Sequence, residues 1–244
     1  MGKEKMLIPY GSALATDRFI KVYVGEGPPF LVQQLLLESL SDYFVRALQR
    51  NKFSEGIHGV LRIEGDDRST WKALLHWLFK GGLAFEVKDD PDCLIDLWIF
   101  GDKYGIVALQ NDAMYALLEY VDTSREGYTL SLITINDGLN RTSPGTVMRK
   151  LLAEEILGQI DAGCPLKHED LAAWDTVGLA SDLLKATDCR ETFGSKFYHD
   201  RFDEEDMLWK DFMLASDGLG RERLGFQRRK KKRTKTSFKR LRDN

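Results

Sequence analysis

Cysteine is scarce in this chain, with only Cys93, Cys164 and Cys189 in 244 residues. Their odd number, wide separation and lack of C-x-x-C spacing argue against a disulfide scaffold and point to reduced thiols in a cytosolic or nuclear setting. Long apolar runs are missing as well. No stretch approaches the roughly 18 residues a membrane-spanning helix needs, and "MGKEKMLIPYGSALATDRF" has no continuous apolar core of the kind a signal peptide carries. Met6 stands where a myristoylated N-terminus would have Ser or Thr. The acceptor-like "NRT" at 140–142 is then a chance match. Histidine is equally sparse: His58, His76, His168 and His199 have no cysteine or carboxylate at ligand spacing, which speaks against a zinc site. "GLGRERLG" follows a predicted helix and lacks the residues of a phosphate loop, and no Ser, Cys or Thr stands with a recognisable base. The acids of "HED" at 168–170 suit a helix start. A non-enzymatic protein without a cofactor is expected.

What is present is a large apolar fraction, 43%, enough for a packed core, and a polarised charge. The net charge of −3 is a cancellation: residues from Arg221 onward hold 12 basic and 2 acidic residues, a net +10, whereas residues 1–220 hold 23 basic and 36 acidic, a net −13.

Hydrophobic periodicity orders the first half. "FIKVYVG" at 19–25 reads as a strand entering a Gly-rich turn, with "FLV" at 30–32 as its return and "GVLRIEG" as a third strand. Two short helices are predicted in "QQLLLES" and "SDYFVRALQR", split near Ser39–Ser41, with Ser41 as an N-cap and Leu36, Leu37, Leu40, Tyr43 and Phe44 as a shared apolar face. Trp71, Leu74, Leu75 and Leu78 mark a helix that Gly81 and Gly82 end. After a polar loop, Asp90 and Pro91 start another whose buried stripe is Leu94, Leu97, Trp98 and Gly101, and a further helix runs from Val107 to about Val121. A small sheet followed by paired helices is an α+β arrangement.

The pieces "VYVGEGPPFLV", "LLLESLSDYF", "FSEGIHGVLRI", "WKALLHWLFKGGL" and "LIDLWIFGDKYGIVALQNDAM" resemble, in this order, a BTB/POZ domain of the type abundant in fungal proteins, over residues 17–122. The resemblance implies a small β-sheet with clustered helical hairpins and a role in binding proteins. Gln33 and Gln34 stand where members commonly have a His-Lys pair, and Leu40 where they have a second Ser. Dimerising animal members use an N-terminal helix and strand, and residues 1–16 show no helical apolar periodicity, so homodimerisation stays open.

Phe53-Ser54-Glu55 precedes the third strand. Members that recruit cullin ubiquitin ligase scaffolds have a hydrophobic residue, any residue, then an acid at this place. Such an aromatic beside a carboxylate can act as a hot spot worth on the order of 2 kcal/mol when fully covered. Non-cullin members also carry Phe followed by Glu here, and closure of the domain's own core by Phe53 is the alternative.

Residues 123–220 are expected to be a helical C-terminal region. Ser143 and Pro144 are read as the start of a helix carrying Val147, Leu151, Leu152 and Ile156; "HEDLAAWDTVGLASDLLKA" is read as a second, and "DEEDMLWKDFMLA", capped by Asp203, as a third. Residues 221–244 form a basic tail expected to be disordered, in which Arg228, Arg229, Lys230, Lys231, Lys232 and Arg233 are a candidate nuclear-import signal or a weak, salt-sensitive nucleic-acid contact. Two functions follow as expectations: an adaptor or scaffold, with a cullin among its candidate partners, or a nuclear regulator that touches nucleic acid through the tail and recruits partners through the first domain. Nuclear or cytoplasmic location fits both.

Overall fold

The computed structural model describes residues 17–49, 52–123, 130–161, 163, 176–193 and 208–215. It is α+β, with one three-stranded sheet and ten α-helices among the described residues. In β1 (Phe19–Val24) alternate residues Ile20, Val22 and Val24 are fully buried while Phe19 and Lys21 face outward, the period-2 pattern of a half-buried strand. β2 (Phe30–Gln33) pairs antiparallel with β1 in the register Ile20↔Val32, and β3 (Val60–Ile63) pairs parallel on the other side, Val22↔Leu61, giving the order β2-β1-β3. Gly25 and Gly27 take positive φ in the hairpin turn. Arg68 fastens that turn by donating to the carbonyls of Val24 (3.3 Å) and Pro28 (2.6 Å) while its guanidinium covers the Phe30 ring at 4.2 Å.

A parallel pair needs a long crossover. Here the chain passes from β1 through β2 and then α1 (Gln34–Glu38), α2 (Asp42–Ala47) and α3 (Ser54–His58) before it reaches β3. Leu37, Leu40 and Phe44 are buried as expected, but Leu36 is half-buried and Tyr43 is 43% exposed, because these helices are too short to bury a full stripe. Ser41 occupies the N-cap position of α2, yet its hydroxyl makes no cap bond and is buried without a hydrogen-bond partner.

α4 (Arg68–Lys80) is capped by Asp67, whose carboxylate accepts from the amides of Ser69 (2.7 Å) and Thr70 (3.1 Å), and it ends at Gly81 in the left-handed region. The polar loop expected next contains a single turn of helix, α5 (Phe85–Lys88), whose Phe85 is exposed. α6 (Pro91–Tyr104) begins on Asp90 and Pro91, buries all of Leu94, Leu97, Trp98 and Gly101, and turns through Gly105 into α7 (Val107–Thr123). A Cβ on Gly101 would lie 2.6 Å from Gln110 Cγ, so the missing side chain lets this helical hairpin close tightly.

α8 (Leu132–Arg141), α9 (Val147–Asp161) and α10 (Leu179–Phe193) follow, and a 3-10 turn occupies Leu208–Phe212. α9 begins later than expected. Gly145 takes positive φ and breaks the helix that Ser143 and Pro144 would have started; Thr146 Oγ1 accepts from the Arg149 amide instead. Of the helix expected across 168–186 only residues 176–186 are described: Thr176–Gly178 are not helical, Gly178 has positive φ, and α10 runs on from Leu179 to Phe193. His168, Glu169 and Asp170 lie outside the described residues, as does the Asp203 cap. The described part of the third expected helix is 3-10 rather than α.

One apolar cluster runs without interruption from Ile20 and Val22 in the sheet through Trp71 and Trp98 to Ile135, Leu152, Ile156 and Phe212. α9 is buried nearly all round and carries Arg149 into this interior, where Nε donates to Asp182 Oδ2 at 2.6 Å and Nη1 to the carbonyls of Leu139 and Thr142. Among the described residues no helix is long and apolar enough to cross a membrane.

Candidate partner-binding groove

Phe53 is the residue that enters α3, with an extended backbone (φ −122, ψ 150), and its carbonyl accepts from the Ile57 amide one turn later at 3.0 Å. Gly56 permits this placement. A Cβ there would fall 2.1 Å from the Gln49 carbonyl oxygen, so α3 can lie against the end of α2 only without a side chain at that position. Gly59, at φ 68, then reverses the chain into β3. Arg18 locks the underside: Nη2 donates to the Gly56 carbonyl at 2.8 Å and, with Nε, to Gln34 Oε1 at 2.8 and 3.1 Å. Gln34 Nε2 in turn donates to Glu38 and to the Leu48 carbonyl. Gln34 is buried, and with Arg18 it ties the start of β1 to α1 and the end of α2, Arg18 alone reaching α3.

With its neighbours fixed, Phe53 remains 49% exposed and does not close the domain's own core; Ile57, four residues on, is 58% exposed. Both expected residues, Phe53 and Glu55, line the same groove of about 730 Å³. Its other walls are Leu40, Tyr43, Arg46 and Ala47 from α1–α2, Leu61 and Arg62 from β3, and Gly105, Val107 and Ala108 where α6 passes into α7. Ser54 Oγ donates to Glu55 Oε2 at 3.1 Å. Asp42, Glu55 and Asp102 share the lining with Arg46, Arg62 and Lys103, so the groove is charged without a dominant sign.

The floor is Tyr104. Its hydroxyl donates to Asp66 Oδ2 at 2.6 Å, Trp71 Nε1 donates to the same oxygen at 3.0 Å, and Lys103 Nζ meets Asp66 Oδ1 at 2.6 Å. Tyr104 stacks on Phe44 (5.6 Å, 21°) and meets Tyr43 edge-on at 4.9 Å. Burial, and after it the hydrogen bond to Asp66, pushes the Tyr104 phenol far above its ordinary value of 10.0, so the floor is neutral and rigid. Tyr43 and Tyr104 are groove residues that sequence reasoning treated as core or passed over. Tyr104 continues the buried stripe of α6, seven residues after Leu97 and three after Gly101, so its burial had a periodic signal, but its role depends on Asp66, 38 residues away.

The groove brings together aromatic surface, aliphatic surface and carboxylates. It can seat the apolar side chains of another protein and offer Glu55 to a donor on it. The second set of expected site residues, Arg228, Arg229, Lys230, Lys231, Lys232 and Arg233, lies outside the described residues. Compared with known proteins, the chain matches no protein-family model and no curated protein.

Proposed function

We propose that this chain is a protein-binding adaptor or scaffold built on a BTB/POZ-type platform, and that the groove bordered by Phe53 and Glu55 is where it docks its principal partner. One observation carries the reading: a phenylalanine left about half exposed at the rim of a 730 Å³ groove, with a carboxylate two residues on, while the large aromatics behind it are buried. Solvated aromatic surface of that kind gains most when a partner covers it. The arrangement favours a helical partner segment presenting apolar side chains and a hydrogen-bond donor, and a cullin scaffold is the partner class that the hydrophobic-x-acid pattern suggests. The helical half beyond residue 123 would then hold a second protein, making the chain a bridge.

Affinity purification of the full chain and of the Phe53→Ala, Glu55→Ala variant, read by mass spectrometry, tests this. A cullin or another partner present with the first and missing with the second is the expected result. Identical partner sets would remove the groove from consideration.

A second reading is a nuclear regulator that contacts nucleic acid through residues 221–244 and recruits partners through the first domain. The +10 charge concentrated in those residues supports it. Retention on immobilised DNA that is unaltered by deleting residues 226–244 would dismiss it.

A further inference from the structure

The 3-10 turn at Leu208–Phe212 and the residues just after it lie against α7 and α9 in a manner unlike the packing of the helices around them. Phe212 is fully buried, and the Lys150 ammonium sits 4.6 Å from the centre of its ring. Trp209 is half-buried and meets Tyr115 of α7 edge-on at 5.7 Å and 88°. Two residues past Phe212, the Asn111 side chain pairs with the backbone of Leu214 on both sides: Nδ2 donates to the Leu214 carbonyl at 3.0 Å, and the Leu214 amide donates to Oδ1 at 2.8 Å.

These contacts divide as a peptide's contacts with its receptor do. Two aromatic anchors supply apolar burial, and a side-chain amide that copies the hydrogen bonding of a neighbouring strand holds the main chain without regard to the residue there. We propose that the surface between α7 and α9 is a receptor for short aromatic peptides, with the chain's own residues 208–215 as its resident ligand. The external ligand it fits is a partner segment with two aromatic residues three apart and an unpaired backbone amide and carbonyl two residues beyond the second, the pattern of Trp209, Phe212 and Leu214. Among the described side chains of the resident segment Phe212 is fully buried while Trp209, Met213 and Leu214 are half-buried, and tethering to α10 through the chain raises the segment's local concentration, so an external peptide must compete against an intramolecular ligand. The surface shares α7 with the Phe53 groove, whose wall includes Val107 and Ala108, but the inference does not depend on the function proposed for that groove.

The test uses the full chain with a site for a sequence-specific protease placed among residues 196–204 and cut after folding. A fluorescent peptide spanning residues 206–216 is then added and followed by anisotropy, with hydrogen exchange of α7 and α9 measured in parallel. The expected result is saturable exchange of the cut segment for the peptide while α7 and α9 stay protected. Binding should weaken by about tenfold or more with Asn111→Ala, fail with a peptide carrying alanine for Trp209 and Phe212, and be unaltered by Phe53→Ala. A segment that never exchanges, or whose loss strips α7 and α9 of protection, is an ordinary part of the core and overturns the proposal. So does a segment that leaves on cutting with no binding of the peptide, or peptide binding indifferent to Asn111→Ala.

Discussion

Trp71 and Tyr104 donate hydrogen bonds to a single oxygen, Asp66 Oδ2, at 3.0 and 2.6 Å. The two rings also meet edge-on with centroids 6.3 Å apart, so one carboxylate from the turn after β3 ties α4 to the end of α6 beneath the groove. Lys103 closes the set on the other oxygen. Replacing Asp66 with alanine leaves two mostly buried donors without a partner. A loss of about 3 kcal/mol in unfolding free energy is expected by urea titration, together with loosening of Tyr104 and weaker partner capture at the groove.

The phenol of Tyr104 makes a directional prediction at high pH. Its folded-state value lies above its ordinary 10.0, through burial first, then Asp66 and the neighbouring Tyr43. A group raised on folding contributes stability that is fully present below the unfolded value and is lost as pH rises toward the folded one. The urea midpoint should therefore fall between about pH 10 and pH 12. In Tyr104→Phe that alkaline decline should be distinctly shallower; equal declines would contradict the assignment.

Arg149 and Asp182 form a pair with side chains 1% and 5% exposed. Removing one partner strands the other charge in the interior, and Arg149→Ala or Asp182→Ala should each cost about 3–5 kcal/mol. The double change Arg149→Met with Asp182→Leu should recover much of that loss. Thermal unfolding of the unaltered protein, Arg149→Met, Asp182→Leu and the double variant as a double-mutant cycle measures the coupling directly.

Burial pushes the Cys93 thiol up to about 11, and Asp90, Asp96 and Asp67 add to the effect. With Cys164 and Cys189 replaced by serine, alkylation of the folded protein at pH 8 should be at least about tenfold slower than in urea. The folded-state rate should still be climbing at pH 10. A plateau near pH 9 would mean the thiol is solvated and distant from those carboxylates.

Phe53→Ala separates the two roles a rim aromatic can have. Because the ring is half exposed, its truncation should alter stability by no more than about 1 kcal/mol, whereas a ring closing the core would cost about 3–5 kcal/mol. Partner capture should drop by about thirtyfold, the equivalent of a hot spot of 2 kcal/mol. Gly56→Ala should do the reverse, destabilising the protein by about 1–3 kcal/mol through its clash with the Gln49 carbonyl.

Much of the α+β framework was legible because it rests on local chemistry. Alternation in Ile20, Val22 and Val24 marks a strand wherever it packs, Asp67 and Asp90 cap helices through amides two or three residues away, and Gly81 and Gly105 end helices by backbone freedom alone. Ser143 misled for the same reason: it is as good a cap as Thr146, and only the reversal at Gly145 decides between them. Phe53 and Glu55 stand two residues apart, a spacing that does not by itself make side chains face one another, and that both line one groove is a matter of packing.

Tertiary structure alone decided what those residues face. Whether Phe53 is core or rim depends on how α2, α3 and the α6–α7 hairpin leave space around it, and no local pattern carries that information. The same holds for Asp66 with Tyr104, Arg149 with Asp182, and Asn111 with Leu214, which are 38, 33 and 103 residues apart. Local propensities and apolar periodicity act over a turn or a pleat and are written in neighbouring residues; the burial and pairing of polar groups act across space, and only the packed chain brings their partners together.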